Sequence, residues 1–509
     1  MTHTLTDPTT RPPTDDGGPA PRRNRPWFGD LMRRLHFYAG LLVGPFILVA
    51  ATSGALYALA PTFEQIVYDD ELHAPATATT LSLGEQVAAA QRFAATDAIP
   101  TAVRPAPEPG DTTRVMFADD SLGSSETRGI FVDPGTGEVR GDLTVYGTSG
   151  SLPLRTWISN LHRTLHLGDA GRFYSELAAS WLWIVALAGA AMWISRIRRT
   201  RRKKDMIRPN LKHTGYRRYL SMHTSLGTWV LLGALFLSAT GMTWSQLAGA
   251  NISSLRTAAG WETPALETDL GASPATSDGA HHDHDAAPAV PSDALSPAAF
   301  DSVYAIAQRV NIDAAPTEIK PPTESGSAWV VREIKRSYPT AGDSVAIDGT
   351  TLQVTDRSDV DTFPLMAKLS SWGIALHMGL MFGLPNQLVL VLLAAGIGAM
   401  VVLGYLMWWK RRPTREPRGL GGPAPRRGAL RSAPWWGVAA VLAAAITIGL
   451  FIPLVGYTLA AFVLIDTVIS VLKSRSDLTN QPAQQQEGRT RGSSPRVRPV
   501  AAHQQAEPE

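Results

Sequence analysis

The nonapeptide Asn160–Gly168 reads NLHRTLHLG and directly precedes an apolar run from Tyr174 to Ile194. Its histidines, His162 and His166, are four residues apart, so on a helix both imidazoles would lie on one face. An ionisable pair at the mouth of a membrane span is a candidate functional site. Two polar residues in a solvated loop are the alternative. The positions of the other histidines favour the first interpretation.

The apolar residues of the chain are concentrated in runs. The hydrophobic fraction of 44% over 509 residues is ordinary, but runs of about eighteen or more nearly uncharged residues predict transmembrane helices. Positive charges lie beside these runs, which indicates membrane topology rather than nucleic-acid binding. The chain has no cysteine, which excludes disulfides, thiolate-ligated clusters and cysteine nucleophiles. Histidine is therefore the main candidate ligand for a metal or haem.

The first and last apolar runs each allow an alternative. The run His36–Ala60 also resembles a signal peptide, but it is longer than a usual signal core and Pro61 follows it directly. We therefore interpret it as an uncleaved span. The run 435–472 is too long for one helix across a bilayer core of about 30 Å. Pro453 and Gly456 lie in its middle, which favours two short spans over a single kinked helix.

The sequence thus predicts a polytopic α-helical membrane protein with four core spans, a C-terminal helical hairpin and two extracytoplasmic α+β domains. Basic clusters after the second and fourth spans place those ends, and both termini, in the cytoplasm. The predicted segments are, in chain order, a disordered cytoplasmic tail (1–30), the first span (34–60), the first extracytoplasmic domain (61–159), a His-bearing approach with the second span (160–196), a basic cytoplasmic loop (197–218), the third span (219–248), a low-complexity linker (249–295), the second extracytoplasmic domain (296–365), a His-bearing approach with the fourth span (366–410), a basic cytoplasmic loop (411–433), the helical hairpin (434–472) and a disordered cytoplasmic tail (473–509).

Each extracytoplasmic domain has the pattern of a helix followed by strands. In the first, Asp133-Pro134-Gly135-Thr136-Gly137 is a turn signal between β-rich arms. The predicted elements are helices 82–95 and 297–310, and strands 113–118, 128–139 (interrupted by the turn), 328–334 and 345–354.

The two halves of the chain resemble each other, which predicts an internal duplication. Counted from His36 and from His223, glycine and hydroxyl–glycine residues fall at equal offsets. The matched segments are Gly40 with Gly227, Ser53-Gly54 with Thr240-Gly241, Val132-Asp133 with Ile347-Asp348, and Leu165-His166-Leu167-Gly168 with Leu376-His377-Met378-Gly379.

The duplicated histidines predict two haem sites. His36 and His223 each begin an outward span, while His166 (or His162) and His377 each precede an inward span. Facing imidazoles from different helices are what a six-coordinate b-type haem requires. A single interfacial histidine is more often an amphipathic anchor, but the paired placement favours haem.

Two other groups of residues are weaker ligand candidates. Met378 and Met381 lie near His377, although methionine in a span is more often packing. The cluster His281, His282 and His284 would bind a divalent metal loosely, and its linker setting favours adventitious binding.

The pattern resembles the PepSY-associated transmembrane helix family of bacterial inner-membrane proteins. The resemblance covers roughly residues 30–475. It rests on Arg34-Leu35-His36, the turn Val132–Gly137, the segment Leu161–Gly168 and His377; the second turn, Asp348-Gly349-Thr350-Thr351, lacks the proline. It implies PepSY-like domains outside the membrane and an association with iron acquisition, since some members resemble di-haem ferric-siderophore reductases. By this resemblance His36, His223, His166 and His377 are haem ligands, with His162 as a further candidate.

Two functions follow as hypotheses of different classes. The first is a membrane electron carrier with two b haems, which takes electrons from the quinone pool or a cytoplasmic reductase and reduces a ferric complex or siderophore outside. The second is a haem-free protein whose PepSY domains bind peptides or regulate a protease. A transporter is disfavoured, because the repeats contain no broken-helix pair at matched positions and Asp466 is the one charge deep in a span.

Overall fold

The computed structural model describes residues 27–199, 203–271, 295–412, 423, 425 and 429–479. The chain divides into two compact units after Ala443, which are described separately. The linker histidines His281, His282 and His284 lie outside the described residues. Two segments predicted as disordered are partly helical. The N-terminal segment 1–30 contains the start of a helix at Trp27, and the C-terminal segment 473–509 contains the end of a helix at Thr479.

The elements are, in chain order, α1 (Trp27–Leu42), α2 (Gly44–Val67), α3 (Asp69–Leu72), α4 (Leu83–Ala94), β1 (Ala102–Arg104), β2 (Thr113–Phe117), β3 (Glu126–Val132), β4 (Val139–Tyr146), α5 (Pro153–Thr164), α6 (Gly168–Ile197), α7 (Gly215–Met242), α8 (Leu247–Ala258), α9 (Pro297–Arg309), β5 (Thr317–Lys320), β6 (Trp329–Glu333), β7 (Ser344–Ile347), β8 (Val354–Ser358), α10 (Leu365–His377), α11 (Gly383–Lys410), α12 (Trp435–Phe451) and α13 (Pro453–Thr479). Short 3₁₀ turns at 203–206, 360–362 and 429–432 complete them.

Four helices, α2, α6, α7 and α11, are long and apolar enough to cross a membrane. With the sheet and the C-terminal helical pair, they make the chain a polytopic membrane protein. The α2 span packs against α11, and α6 packs against α7. We call the bundle end that bears the loops after α6 and α11 the basic side, and the end that bears the strands the sheet side.

The first predicted span differs from the observed one. The helix breaks at Val43, so His36 lies on α1 and the candidate span is α2. Pro45 lies in the first turn of α2 and explains the break, because proline has no N–H group to continue the hydrogen-bond pattern of α1. Helix α2 continues past the predicted end at Ala60 and contains Pro61 in its interior. The other three spans lie close to where the sequence predicted them. Helix α7 begins at Gly215, before the predicted third span (219–248), but ends at Met242, short of the predicted end.

The strands form one antiparallel sheet of eight, in the order β4-β3-β2-β1-β5-β6-β7-β8. The two predicted domains are therefore joined at their first strands, where Val103 pairs with Ile319. The pairing removes two exposed edges, which would otherwise present unpaired backbone groups. Helices α4 and α9 pack together over one face, and the backbone N–H of Gly84 donates to Asp301 at 3.1 Å.

The turns of the two outer hairpins of the sheet contain the same hydrogen bonds at equivalent atoms. Asp133 accepts from the backbone N–H of Gly135 at 2.7 Å and from the Thr136 hydroxyl at 2.9 Å. In the same way Asp348 accepts from Thr350 N–H at 2.8 Å and from the Thr351 hydroxyl at 2.7 Å. A register shift precedes each turn, between Phe131 and Val132 and between Ala346 and Ile347. The aspartate at the turn therefore has the same role with or without the proline.

A buried ion pair crosses the junction between β1 and β5. Arg104 Nε donates to Glu318 at 2.9 Å, and Arg332 Nη2 donates to the other carboxylate oxygen at 3.1 Å. Burial alone would raise the pKa of Glu318. The charge of Arg104 and its hydrogen bonds, with Lys320 and Arg332, outweigh burial and hold that pKa below its ordinary value of 4.5.

The second unit, from Ala444, contains the end of α12 and the whole of α13. A Cβ built on Gly449 would lie 3.0 Å from the Cα of Gly456, whereas seven residues of straight helix would separate them by about 10 Å. The chain therefore turns sharply at Ile452–Pro453, as expected for the two-helix alternative.

We predict that Glu318→Gln destabilises the sheet by about 3 kcal/mol at pH 7, because it leaves buried guanidinium groups uncompensated. The folded-state pKa of Glu318 is depressed, so this stabilisation is present above the unfolded pKa and is lost as the pH falls through the folded one. Melting temperatures of the detergent-solubilised protein should therefore converge for wild type and variant below pH 4.5, the ordinary value.

Glu324→Gln is the matched control, since Glu324 is exposed in the loop after β5. An equal loss of stability in both variants at pH 7 would count against the buried ion pair as the cause.

Candidate functional site

Two histidines from opposite halves of the chain face each other on the basic side. The rings of His36 on α1 and His223 on α7 have centroids 6.1 Å apart and planes at 81°. A metal–imidazole bond of about 2 Å on each side, plus about 1 Å to each ring centre, gives about 6 Å between trans imidazoles. The spacing would therefore allow the two imidazoles to hold one metal ion between them. We call these two residues the basic-side pair.

The tautomer of His36 is set by a backbone carbonyl. Nδ1 lies 2.9 Å from the carbonyl oxygen of Val185 on α6, which can only accept. Nδ1 therefore carries the proton and Nε2 has the free lone pair that a metal requires. At His223 the Met400 backbone lies beside the ring, but within the described part of the chain no group hydrogen-bonds Nδ1.

The basic-side pair lines a cavity of about 920 Å³, at the upper end of the usual size of small-molecule sites. Glycines keep its wall open: a Cβ on Gly40 or Gly404 would meet no atom within 4 Å. A Cβ on Gly189 would lie 3.1 Å from the His36 ring, so glycine allows α6 to pass close to it. Four arginines line the same cavity: Arg33, Arg196, Arg199 and Arg411.

Two further histidines occupy matching positions on the sheet side. His162 Nδ1 lies 3.0 Å from the Ser53 hydroxyl, and His377 Nδ1 lies 2.6 Å from the Thr240 hydroxyl. Both hydroxyls already donate to helix carbonyls, Ser53 to Val49 at 2.8 Å and Thr240 to Phe236 at 2.7 Å. With its proton donated to the helix, each hydroxyl is placed to accept from the imidazole Nδ1–H, and Nε2 is then the unprotonated nitrogen. The backbone of Ala50 also lies beside the His162 ring. We call His162 and His377 the sheet-side pair.

The surroundings of the sheet-side pair are aromatic. The His162 ring stacks on Tyr57 with centroids 6.1 Å apart, and the His377 ring meets the edge of Trp244 at 5.6 Å. The two imidazoles are close enough to interact electrostatically. The same arrangement occurs in both halves of the chain. In each, a hydroxyl residue contacts the imidazole, and the glycine after it, Gly54 or Gly241, lies beside the ring.

The structure separates His166 from this pair. Helix α5 ends at Thr164, and Leu165 and His166 both have left-handed backbone conformations, with φ of 52° and 57°. The predicted shared face of His162 and His166 is therefore wrong. His166 is exposed and packs beside Trp157, with ring centroids 5.0 Å apart. His162 is the geometric counterpart of His377.

The remaining ligand candidates lie elsewhere. Met378 and Met381 are buried, and the Met378 sulfur lies 3.5 Å from Arg336 Nη1. Within the described ranges no group of three or more His, Asp or Glu side chains is arranged to hold a metal ion. The candidate site therefore rests on the two pairs of imidazoles.

The sequence predicted the hydroxyl–glycine segments as repeat matches but not as partners of the imidazoles. Ser53 and Thr240 stand seventeen residues after His36 and His223. The sequence signal that could have identified these partners is a hydroxyl residue at the same repeat position in two apolar runs. Their partners come from residues 109 and 137 positions away, and no local pattern predicts such a pairing.

A protein-family model described as PepSY-associated TM region matches residues 33–411. The match includes all four candidate spans, the whole sheet and both histidine pairs. No curated protein matches the chain.

We predict that Gly171→Ala displaces the end of α5, and with it His162. A Cβ on Gly171 would overlap the carbonyl oxygen of Thr164, and Tyr174, one turn later on α6, donates to the His162 carbonyl. Overpacking of this kind costs about 1–3 kcal/mol. The control Gly40→Ala meets open space and gains about 0.5 kcal/mol from helix propensity. Equal melting temperatures of the two detergent-solubilised variants would contradict the close packing of α5 on α6.

Proposed function

The chain belongs to the PepSY-associated TM region family, and from this premise we propose that it is a haem-bearing electron-transfer protein of the plasma (inner) membrane. In this proposal it binds two b haems and reduces ferric iron, as a complex or siderophore, on the sheet side. The observation that carries the proposal is the spacing of His36 and His223, with ring centroids 6.1 Å apart.

The residues of the chain act by holding and orienting the cofactors. Bound haem iron would supply one-electron chemistry at each site. His36, His162 and His377 have Nδ1 engaged by Val185, Ser53 and Thr240, so Nε2 is the nitrogen presented for ligation. Such outer hydrogen bonds fix ring orientation and raise ligand basicity.

The cavity around the basic-side pair fits a porphyrin in size and lining. Its wall combines apolar side chains with open glycine positions, and arginines lie along it. Arginine forms bidentate hydrogen bonds to carboxylates, the groups that a haem carries on one edge. The apolar wall excludes water from the iron ligands.

The proposed orientation places the basic side in the cytoplasm. Arg196, Arg198 and Arg199 lie at the end of α6 or just after it, and Lys410, Arg411 and Arg412 lie at the end of α11 or just after it. This is what the positive-inside rule expects for two cytoplasmic ends. The sheet, as two fused PepSY-like domains, would then be extracytoplasmic. The identical turn hydrogen bonds of Asp133 and Asp348 support an internal duplication.

The two pairs at opposite ends of the bundle suit transfer of electrons across the bilayer. We propose that the basic-side pair receives electrons from the quinone pool or a cytoplasmic reductase. The sheet-side pair would pass them to the ferric complex.

Absorption spectra of the purified full chain test this proposal. Wild-type protein should be red, with a Soret band and a sharp reduced α-band, and should contain two haems per chain by pyridine haemochrome assay. His36→Ala should lose one haem, and His162→Ala or His377→Ala should lose the other, because each removes one of two axial ligands.

His166→Ala is the matched control and should keep both haems, since that imidazole is exposed and lies apart from both pairs. Colourless wild-type protein would refute the proposal and favour the haem-free PepSY function. A full two-haem spectrum in His36→Ala would refute the assignment of the basic-side pair.

A further inference from the structure

Five arginines gather on the face of the sheet opposite α4 and α9. Strand alternation places Arg104, Arg114 and Arg332 on this face, because their neighbours Val103, Val115 and Val331 point into the core beneath the two helices. Arg155 of α5 and Arg336, after β6, join them, and their charges act on one another. We call these five residues the arginine cluster.

The arginine cluster carries more positive charge than its carboxylates neutralise. Among the described residues, Glu318 pairs with Arg104 and Arg332, and Glu64 approaches Arg155 at 3.9 Å. Five guanidinium groups thus share two carboxylates, an excess of three positive charges. Arg104 and Arg114 even stand directly opposite each other on paired strands, an arrangement that destabilises a sheet.

The electrostatic cost appears in the pKa values of the cluster. Burial, with added repulsion from Arg104, lowers the pKa of Arg114 to about 10. Burial, followed by the charge of Arg155, lowers the pKa of Arg336. Uncompensated buried charge is expensive, so an arrangement of this kind favours the binding of an anion.

Several donors of the cluster point at no protein acceptor. Arg155 is 5% exposed, yet in the described part of the chain its Nε and Nη2 have no hydrogen-bond partner, and neither does Arg332 Nε. Among the residues that the structure describes, the hydrogen bond of Arg336 Nη1 is to the Met378 sulfur, at 3.5 Å, and a thioether is a weak acceptor.

The cluster adjoins the sheet-side pair. Met378, which Arg336 contacts, directly follows His377. Arg336 also interacts electrostatically with Tyr57, whose ring stacks on His162. A ligand held by Arg155 and Arg336 would therefore lie between the sheet and the sheet-side pair.

We propose that Arg155 and Arg336 of the arginine cluster bind carboxylate groups beside the sheet-side histidines. The planar guanidinium fork matches a carboxylate bidentately and is the common choice for buried anion recognition. Two sources share this chemistry: the propionates of a haem at the sheet-side pair, and the carboxylates of an iron(III) chelate arriving as substrate. Binding of a carboxylate by these arginines does not depend on the proposed function. Identifying that carboxylate as a haem propionate or as an iron chelate does rest on the proposed function.

Citrate is the probe, with full-length protein in detergent and chloride used to hold the ionic strength constant. The variants are Arg155→Gln and Arg336→Gln. The control is Arg128→Gln, since Arg128 is on β3 and pairs with Asp142 outside the cluster. The readouts are the rise in melting temperature with citrate and the haem content. Arg336→Gln removes no hydrogen bond within the sheet, so it remains informative if Arg155→Gln does not fold.

If the carboxylates belong to a free chelate, wild type and Arg128→Gln bind citrate, while the cluster variants bind about tenfold more weakly and keep both haems. If they belong to a propionate, the cluster variants lose the haem that His377→Ala also loses. Cluster variants that match wild type in both readouts overturn the proposal. Haem-free wild type with arginine-dependent citrate binding would refute the proposed function and leave this inference standing.

Discussion

The orientation of three of the four paired imidazoles, those of His36, His162 and His377, depends on where the Nδ1 proton goes. A neutral imidazole among apolar helices must satisfy one nitrogen, because an unpaired polar group in such surroundings is costly. His36 uses the Val185 carbonyl, while His162 and His377 use hydroxyls whose own protons are already donated along the helix. In each case the second nitrogen is left unprotonated. One hydrogen bond therefore fixes the ring, its tautomer and which nitrogen keeps a free lone pair.

Much of the fold could be predicted from the sequence, because its signals are local. Apolar runs located three spans to within a few residues, and the Asp-centred turn signals located both outer hairpins. The junction strands β1 and β5 were not predicted. They are three and four residues long, and they pair with each other although more than two hundred residues separate them in the sequence. Their pairing depends on tertiary structure, which no periodicity encodes.

At the candidate site, the repeat seen in the sequence differs from the repeat seen in the structure. The match of Leu165-His166-Leu167-Gly168 with Leu376-His377-Met378-Gly379 favoured His166, but helix α5 ends at Thr164 while α10 continues to His377. The better guide was the hydroxyl–glycine segment, since Ser53 and Thr240 each hold one imidazole of the sheet-side pair. The arginine cluster had no sequence signal, because its five members come from three strands, a helix and a loop.

The fused sheet explains why the two halves of the chain are not independent. His36 and His162 belong to the first half, and His223 and His377 belong to the second, so each pair takes one imidazole from either half. Neither half alone could hold a metal between two histidines. The β1–β5 pairing, and the Arg104–Glu318 ion pair that crosses it, join the halves on the sheet side. The packing of α2 against α11 and of α6 against α7 joins them within the bundle. A change that loosens the junction should therefore reach the sheet-side histidines, although it lies in a sheet outside the predicted spans.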